Sequence, residues 1–403
     1  MLTKLRFFIE KIVVNAFLIP LFFLFSYIIP KNKKLILVGS NLGTRFIGNS
    51  KYLYLYLSEN NIKDISYYWM TKNRGFYDEF RRLGRPVLRC YSLKGIYNIL
   101  RANYFVVEQS AQDVSGITFT LGHFNIINLW HGVPIKKILF DNKDDQKGFF
   151  SHFMRKEWGQ YKYVITKAKD DIAFMKSGFR NDNVVCLGYA RDDILVRGEK
   201  QAIPGVNLVG YQTVFLYAPT FRDYYSELRP FSEDFLNKLN VYLSQNSGVL
   251  LLKRHIADQN ASRDVKLYGS YSNILDITKN VDNLQEILTS IDVLITDYSG
   301  IAFDFCLLDR PVIFYPYDYE NYKNNCREIY YDYFQDMLGP FAKTEDDLFN
   351  LISTLKIWFN DQDYQKRYKK FKDRFNYYQD DLSSKRLYEF IIEHLFSSER
   401  AKN

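Results

Sequence analysis

Between Asp292 and Asp318 the chain reads as an apolar run, Val293-Leu294-Ile295-Thr296, a polar turn, Asp297-Tyr298-Ser299-Gly300, and a helical stretch, Ile301-Ala302-Phe303-Asp304-Phe305. A second apolar run, Val312-Ile313-Phe314-Tyr315, follows Arg310-Pro311. A β-rich run that feeds directly into a helix and then into another β-rich run is a βαβ unit, which restricts the chain to folds with a parallel sheet. In such a unit the unpaired N–H groups of the first helical turn lie at the carboxyl end of the strand, where a phosphate can accept from them. Ser299 reads as an N-cap, and Gly300 as a point where backbone can approach a ligand. An ordinary capped βαβ unit has the same local pattern, so the remainder of the chain decides between the two readings.

That remainder repeats the pattern. Strands are expected at Lys34–Ser40, Ser66–Met70, Tyr104–Val107, Ile126–Trp130, Tyr163–Thr166 and Val184–Leu187, separated by helical stretches such as 49–57. A polar segment, 197–205, carries Gly198, Pro204 and Gly205 and no apolar period, so it reads as a linker. Beyond it strands are expected at Thr213–Tyr217, Gly248–Lys253 and Ser272–Asp276, ahead of the opening unit, and residues 344–396 read as charged, aromatic helices. At 403 residues the chain suits two domains. The expected organisation is a membrane-associating segment at 1–33, a Rossmann-like domain at 34–200, and a second Rossmann-like domain with terminal helices at 206–403.

Hydrophobic residues make up 47% and charged residues 25%, which excludes a disordered chain. The net charge of +8 favours anionic partners, although dispersal of the basic residues along the chain disfavours nucleic acid. Cys90, Cys186, Cys306 and Cys326 form no C-x-x-C pair, so neither a zinc site nor a disulfide framework is expected. Near the N-terminus an apolar stretch, Ile12–Ile29, lies between Lys4, Arg6, Lys11 and Lys31, Lys33, Lys34. As a helix it would reach about 27 Å, a little short of a bilayer core of about 30 Å. Pro20 and the basic flanks suit a helix lying in an anionic leaflet, with a single span as the alternative.

Ligands of open parallel sheets bind outside the carboxyl ends of the strands, which gives weight to the polar residues placed there. Trp130-His131-Gly132 follows an apolar run, and His131 is a candidate general base because imidazole titrates near neutral pH. A buried, hydrogen-bonded structural histidine fits the same pattern. Tyr217-Ala218-Pro219-Thr220-Phe221-Arg222-Asp223 presents Thr220 with Arg222, whose planar fork can bridge phosphate oxygens; a turn held by an Arg–Asp pair is the alternative. Leu252-Lys253-Arg254-His255 ends a buried run in three basic residues suited to a diphosphate, or to a merely solvated end. Asp297 suits orienting a histidine or binding a ribose, with Ser299 and Gly300 beside it.

Together these segments resemble the CDP-glycerol glycerophosphotransferase family, the teichoic-acid primases and polymerases of bacterial envelopes. The resemblance rests on Trp130-His131-Gly132, Gly188-Tyr189-Ala190-Arg191-Asp192-Asp193, Tyr217 to Asp223, Lys253-Arg254-His255, Thr296-Asp297-Tyr298-Ser299 and Asp309-Arg310-Pro311, in that order. Three positions depart from the family pattern: Val133 where Thr is usual, Gly300 where a second Ser is usual, and Ala190 where Pro is usual.

The resemblance implies a GT-B fold, two Rossmann-like doubly wound α/β domains with an interdomain cleft, and a membrane-associated N-terminus at the cytoplasmic face. It implies transfer of an alditol phosphate from CDP-glycerol or CDP-ribitol to a hydroxyl of a lipid-linked or polymeric acceptor, with release of CMP and with neither metal nor cofactor. His131, His255 and Asp297 are then the expected catalytic residues. Lys253, Arg222, Thr220, Ser299, Gly300, Arg191, Asp193 and Arg310 are the expected substrate-binding residues. The alternative is a GT-B glycosyltransferase that uses a nucleotide sugar for a cell-surface polysaccharide.

Overall fold

A computed structural model describes residues 19–116, 123–143, 157–222, 229–254, 268–325 and 328–400. The chain forms two compact units. The first contains residues 1–131, 138–193 and 382–403, and the second contains 132–137 and 194–381. The boundary after Asp193 lies close to the expected linker. The residues from Leu382 onward fold with the first unit, although composition alone groups them with the helices that precede them.

The first unit holds seven parallel strands: β1 (Asn32–Val38), β2 (Ser66–Thr71), β3 (Val87–Arg89), β4 (Ala102–Val107), β5 (Asn125–Asn128), β6 (Tyr163–Thr166) and β7 (Val184–Cys186). They are ordered β3-β2-β1-β4-β5-β6-β7. The second holds five: β8 (Thr213–Tyr217), β9 (Gly248–Leu252), β10 (Ile274–Asp276), β11 (Val293–Thr296) and β12 (Val312–Phe314), ordered β10-β9-β8-β11-β12. In both sheets the order reverses beside the first strand, between β1 and β4 and between β8 and β11, which is the doubly wound arrangement. β3, three residues at a sheet edge, is the strand that sequence reading omits.

The strands read as near-continuous apolar runs because helices cover both faces. β9 and β11 are buried at every position, and β8 at four of five. In the first unit Phe46 meets Trp69, Phe80 and Tyr54 edge-on, with centroids 4.7, 4.8 and 5.8 Å apart. The helix Glu345–Ser353 begins with a capping box between Thr344 and Asp347, which explains why helix starts so abruptly after Lys343.

The expected membrane-associating helix is described only in part. The described helix at this end, Ile19–Ile28, has ten residues, and no described helix is long and apolar enough to cross a membrane. Residues 12–18 of the apolar stretch lie outside the described residues. Within the helix Phe22 stacks on Phe124 and the Ser26 hydroxyl accepts from the His123 N–H at 2.8 Å, while Leu24 and Ile28 are 55% and 62% exposed. Cys90, Cys186 and Cys306 are free thiols, and Cys326 lies outside the described residues.

Candidate active site

His131 follows β5 through a strained turn. Asn128 Oδ1 accepts from the Trp130 N–H at 2.8 Å, Trp130 takes a left-handed φ of 51°, and Gly132 has φ 154°. A left-handed Trp costs on the order of 1–2 kcal/mol, so something must hold it there. Asn49, at the start of the helix Gly48–Glu59, does so. Its Nδ2 donates to the Leu129 carbonyl at 3.2 Å and the Trp130 carbonyl at 2.8 Å, and its Oδ1 accepts from the Arg191 N–H at 3.2 Å. Arg191 Nη1 in turn donates to the His131 carbonyl at 2.6 Å.

His131 reaches solvent, while the protein packed about its ring desolvates the imidazole. That desolvation, followed by the Arg191 cation, pushes its pKa down to about 4, against the hydrogen bond its ring donates to the Glu108 carbonyl. The imidazole is therefore neutral at physiological pH. One ring nitrogen carries the proton given to Glu108, and the other keeps a lone pair.

Around this turn the first unit fills its own anion-binding positions. Asp113 accepts from the N–H groups of Leu42 at 2.7 Å, Glu108 at 2.9 Å and Gln109 at 2.8 Å, across the β1/β4 switch point. Glu108 accepts from the Ser50 N–H at 2.7 Å, at the start of the Gly48–Glu59 helix. The approach is close: a Cβ on Gly48, which has φ +73°, would lie 2.3 Å from the Glu108 carboxyl oxygens. Burial raises the Glu108 pKa to about 8, although the Ser50 N–H pulls it down.

In the second unit the β8/β11 switch point is organised by Asp297. Its Oδ1 accepts from the Thr220 N–H at 2.7 Å and the Tyr298 N–H at 2.6 Å, and its Oδ2 meets Arg222 Nη2 at 2.8 Å. Arg222 also gives Nε and Nη2 to Asp318 at 2.8 and 2.9 Å, and Nη1 to the Thr220 carbonyl at 2.6 Å. Burial alone would lower the Arg222 pKa, but Asp297 and Asp318 raise it. Arg222 is thus a buried strut, with four of its five N–H groups taken by protein acceptors. Asp297 is equally committed to protein donors, and Tyr333 Oη donates to its carbonyl at 3.1 Å.

Two other expected binding residues serve the scaffold. Asp193 caps the helix Ser383–Arg400, accepting from the N–H groups of Ser383 and Ser384 at 2.9 and 2.8 Å. Arg310 Nη1 donates to the carbonyls of Thr289 and Ile291, closing the 3₁₀ segment Leu284–Ser290. Each side chain completes a helix end, a task that a short motif does not distinguish from ligand binding.

Lys253 stands at the end of β9, half-exposed, with Nζ 3.2 Å from the Arg254 carbonyl and 3.3 Å from that of Thr278. The neighbouring Arg254 is buried against Asp276 at 2.8 Å. The Thr220 hydroxyl is buried and has no partner among the described residues. Ser299 Oγ accepts weakly from Ile301 N–H at 3.4 Å, and the helix that follows, Ile301–Phe305, has five residues, too few for a strong dipole. A Cβ on Gly300 would meet only the Val133 carbonyl, at 3.5 Å, so no close approach demands glycine there. His255 lies outside the described residues.

Sequence reading missed Asn49, Glu108, Asp113 and Asp318. The run Gly48-Asn49-Ser50 signals a helix start, but nothing local links Asn49 to a turn eighty residues further on. Among the described residues no three His, Cys, Asp or Glu side chains gather as a metal site would.

The chain is similar to several known proteins. A teichoic acid poly(glycerol phosphate) polymerase of Bacillus subtilis (strain 168) is 26% identical over 99% of this chain, which spans about half, 52%, of that relative. A teichoic acid glycerol-phosphate primase of the same organism is 34% identical over 67% of this chain and 68% of its own length. The solved structure of the wall teichoic acid polymerase TagF superposes with a TM-score of 0.74 at 22% identity, covering 99% of both chains, so the two share a GT-B fold. The profile of the CDP-glycerol:poly(glycerophosphate) glycerophosphotransferases matches residues 21–393, and the chain belongs to that family.

Proposed function

We propose that the protein transfers an alditol phosphate, with glycerol phosphate the leading candidate, from a CDP-alditol to a hydroxyl of a lipid-linked or polymeric acceptor. CMP is released, and the product is a teichoic acid or a teichoic-acid-like capsule polymer. The acceptor oxygen bonds to the alditol-bearing phosphorus, the bond from that phosphorus to the bridging oxygen breaks, and the electron pair leaves with CMP. The hydroxyl proton passes to the free nitrogen of His131.

One observation carries this reading. His131 is a neutral imidazole whose tautomer is set by the Glu108 carbonyl, on a turn pinned by Asn49 and Arg191. A pKa of about 4 keeps it unprotonated at the working pH but makes it a weak base. It suits a reaction whose barrier falls mainly by positioning and charge neutralisation. The second unit binds the CDP-alditol at the carboxyl ends of β8, β9 and β11. There Lys253 meets the diphosphate, and the Thr220 hydroxyl and Ser299 supply hydrogen bonds; the family resemblance assigns His255 to the same diphosphate. Asp297 and Arg222 hold those loops in place. The exposed apolar face of the Ile19–Ile28 helix supports attachment to the cytoplasmic face of the membrane.

The test is CMP release by detergent-purified protein from CDP-glycerol and, separately, CDP-ribitol, with an oligomeric alditol-phosphate acceptor. Acceptor-dependent CMP from one donor is expected. His131→Ala should lower turnover by at least about 10³-fold while leaving donor affinity within about twofold. Silence with both donors would put a nucleotide-sugar glycosyltransferase in first place. Loss of folding in His131→Ala would make that histidine structural.

A further inference from the structure

The first unit has a cleft that the proposed reaction does not use. It has a volume of about 440 Å³ and is lined by Arg81, Arg85 and Lys94, with Tyr67, Tyr68 and Ile65 among the rest of its wall. Its lining contains no carboxylate, and among the described residues no carboxylate pairs with any of the three cations. Arg81 and Lys94 are exposed, and the half-buried Arg85 guanidinium lies 5.8 Å over the Phe80 ring.

Two further facts set this cleft apart from an ordinary solvated surface. Residues 62–94 contain eight basic and three acidic side chains, a surplus of five in a chain whose whole net charge is +8. The cleft also has a definite place in the sheet. Ser66 and Val87, which line it, are the first residues of β2 and β3, whereas His131 follows the last residue of β5. In a parallel sheet those are opposite ends, so an occupant of the cleft does not compete with chemistry at His131.

We propose that this cleft binds a phosphodiester segment of the anionic polyalditol-phosphate chain, as a holding site remote from the reacting end. The inference rests on the proposed function for its ligand. Three cations of one sign, open to water on a concave wall, attract an anion at long range and retain it weakly, as a chain that must slide requires. The tyrosine and aliphatic wall gives the neutral polyol carbons a surface to lie on.

The test is binding of a fluorescent glycerol-phosphate oligomer of defined length to the full chain, by anisotropy at low and moderate salt. Arg81→Gln, Arg85→Gln and Lys94→Gln combined should weaken binding at least tenfold and shorten the polymer made from a long acceptor. Because Arg85 packs on Phe80, the pair Arg81→Gln and Lys94→Gln, both at exposed positions, is measured alongside. It should lose part of the affinity without loss of melting temperature. Unchanged oligomer binding in both variants overturns the proposal, as does binding to anionic lipid vesicles with none to the oligomer. CMP release from a one-unit acceptor is read in the same preparations. Its absence in wild type would overturn the transferase reading alone, because oligomer binding that the variants lose would still establish the cleft.

Discussion

The two switch points solve one problem in opposite ways. Each must satisfy backbone N–H groups at the carboxyl ends of adjacent strands, and each does so with buried carboxyl groups. In the second unit Asp297 is answered by Arg222, itself shared with Asp318, so the charges are paired. In the first unit Glu108 and Asp113 take N–H donors with no cation in direct contact among the described residues, and burial raises both pKa values. The second is therefore a fixed ionic joint. The first stays adjustable by protons, and it is the one beside His131.

The sharpest way to break this comparison is to remove the charge on each side. Asp297→Ala leaves Arg222 with one carboxylate and leaves the Thr220 and Tyr298 N–H groups without an acceptor. Breaking a buried pair costs about 3–5 kcal/mol, a large share of a domain's stability of about 5–15 kcal/mol. The expected result is loss of the second unit's unfolding transition, or insoluble protein, and Asp297→Asn should recover part of it by keeping the Oδ1 acceptor. Glu108→Gln, by contrast, should change the first unit by less than about 1 kcal/mol at pH 7, where the group already holds its proton. Equal losses from Asp297→Ala and Glu108→Gln, read by denaturant melts, would erase the distinction.

The same contrast explains what could be read from the chain. The strands were legible because both faces of each sheet are covered, so runs such as Val249-Leu250-Leu251-Leu252 carry no polar interruption. His131, Lys253 and Asp297 were legible as positions because a polar residue directly after such a run stands at a strand end. Their roles were less so. A residue name does not say whether the fork of Arg222 faces a ligand or Asp318, and the answer lies in a carboxylate ninety-six residues away. Asn49, Glu108 and Asp113 were invisible for the same reason, since their partners meet only once the sheet is assembled.

Asn49→Ala gives a smaller effect and sharpens the claim that the first switch point serves His131. It removes two donations to the Leu129 and Trp130 carbonyls and one acceptance from Arg191, which leaves the left-handed Trp130 held only on its N–H side, by Asn128 Oδ1, among the described residues. The expected loss is about 1–3 kcal/mol of stability and roughly 10²-fold in kcat, with KM for the CDP-alditol within about twofold. Asn49→Asp keeps an acceptor for Arg191 but loses both donations, so it should resemble Ala. A rise in donor KM with kcat unchanged would mean that Asn49 supports the fold without positioning the histidine.

The smallest effect is a pH dependence, and its sign follows from the raised and lowered groups together. The Glu108 pKa is raised from 4.5 to about 8 by burial, and that of Glu157 to about 7, so the folded first unit holds protons that the unfolded chain releases above about pH 4.5. Their contribution is complete below that value and is lost as pH rises through 7 and 8, with a slope of at most about 1.4 kcal/mol per pH unit for each group. His131 acts oppositely. Its folded pKa of about 4 lies below the unfolded 6.5, so its contribution is present above 6.5 and lost as pH falls towards 4. Below pH 6.5 His131 offsets one of the two carboxyl groups, and between 6.5 and 8 the carboxyl groups dominate, with Glu108 the last of them to titrate and Lys31, lowered to about 8 by burial, opposing it only near the upper end. Hydrogen exchange of first-unit amides should therefore show falling protection from pH 6.5 to 8 after correction for intrinsic rates, and Glu108→Gln should flatten the fall. Amides beside Asp297 should show no such decline, because the charge on Arg222 is fixed throughout that range. No decline in the first unit would mean that the carboxyl groups of its switch point are ionised after all, and a decline of equal slope in both units would erase the contrast.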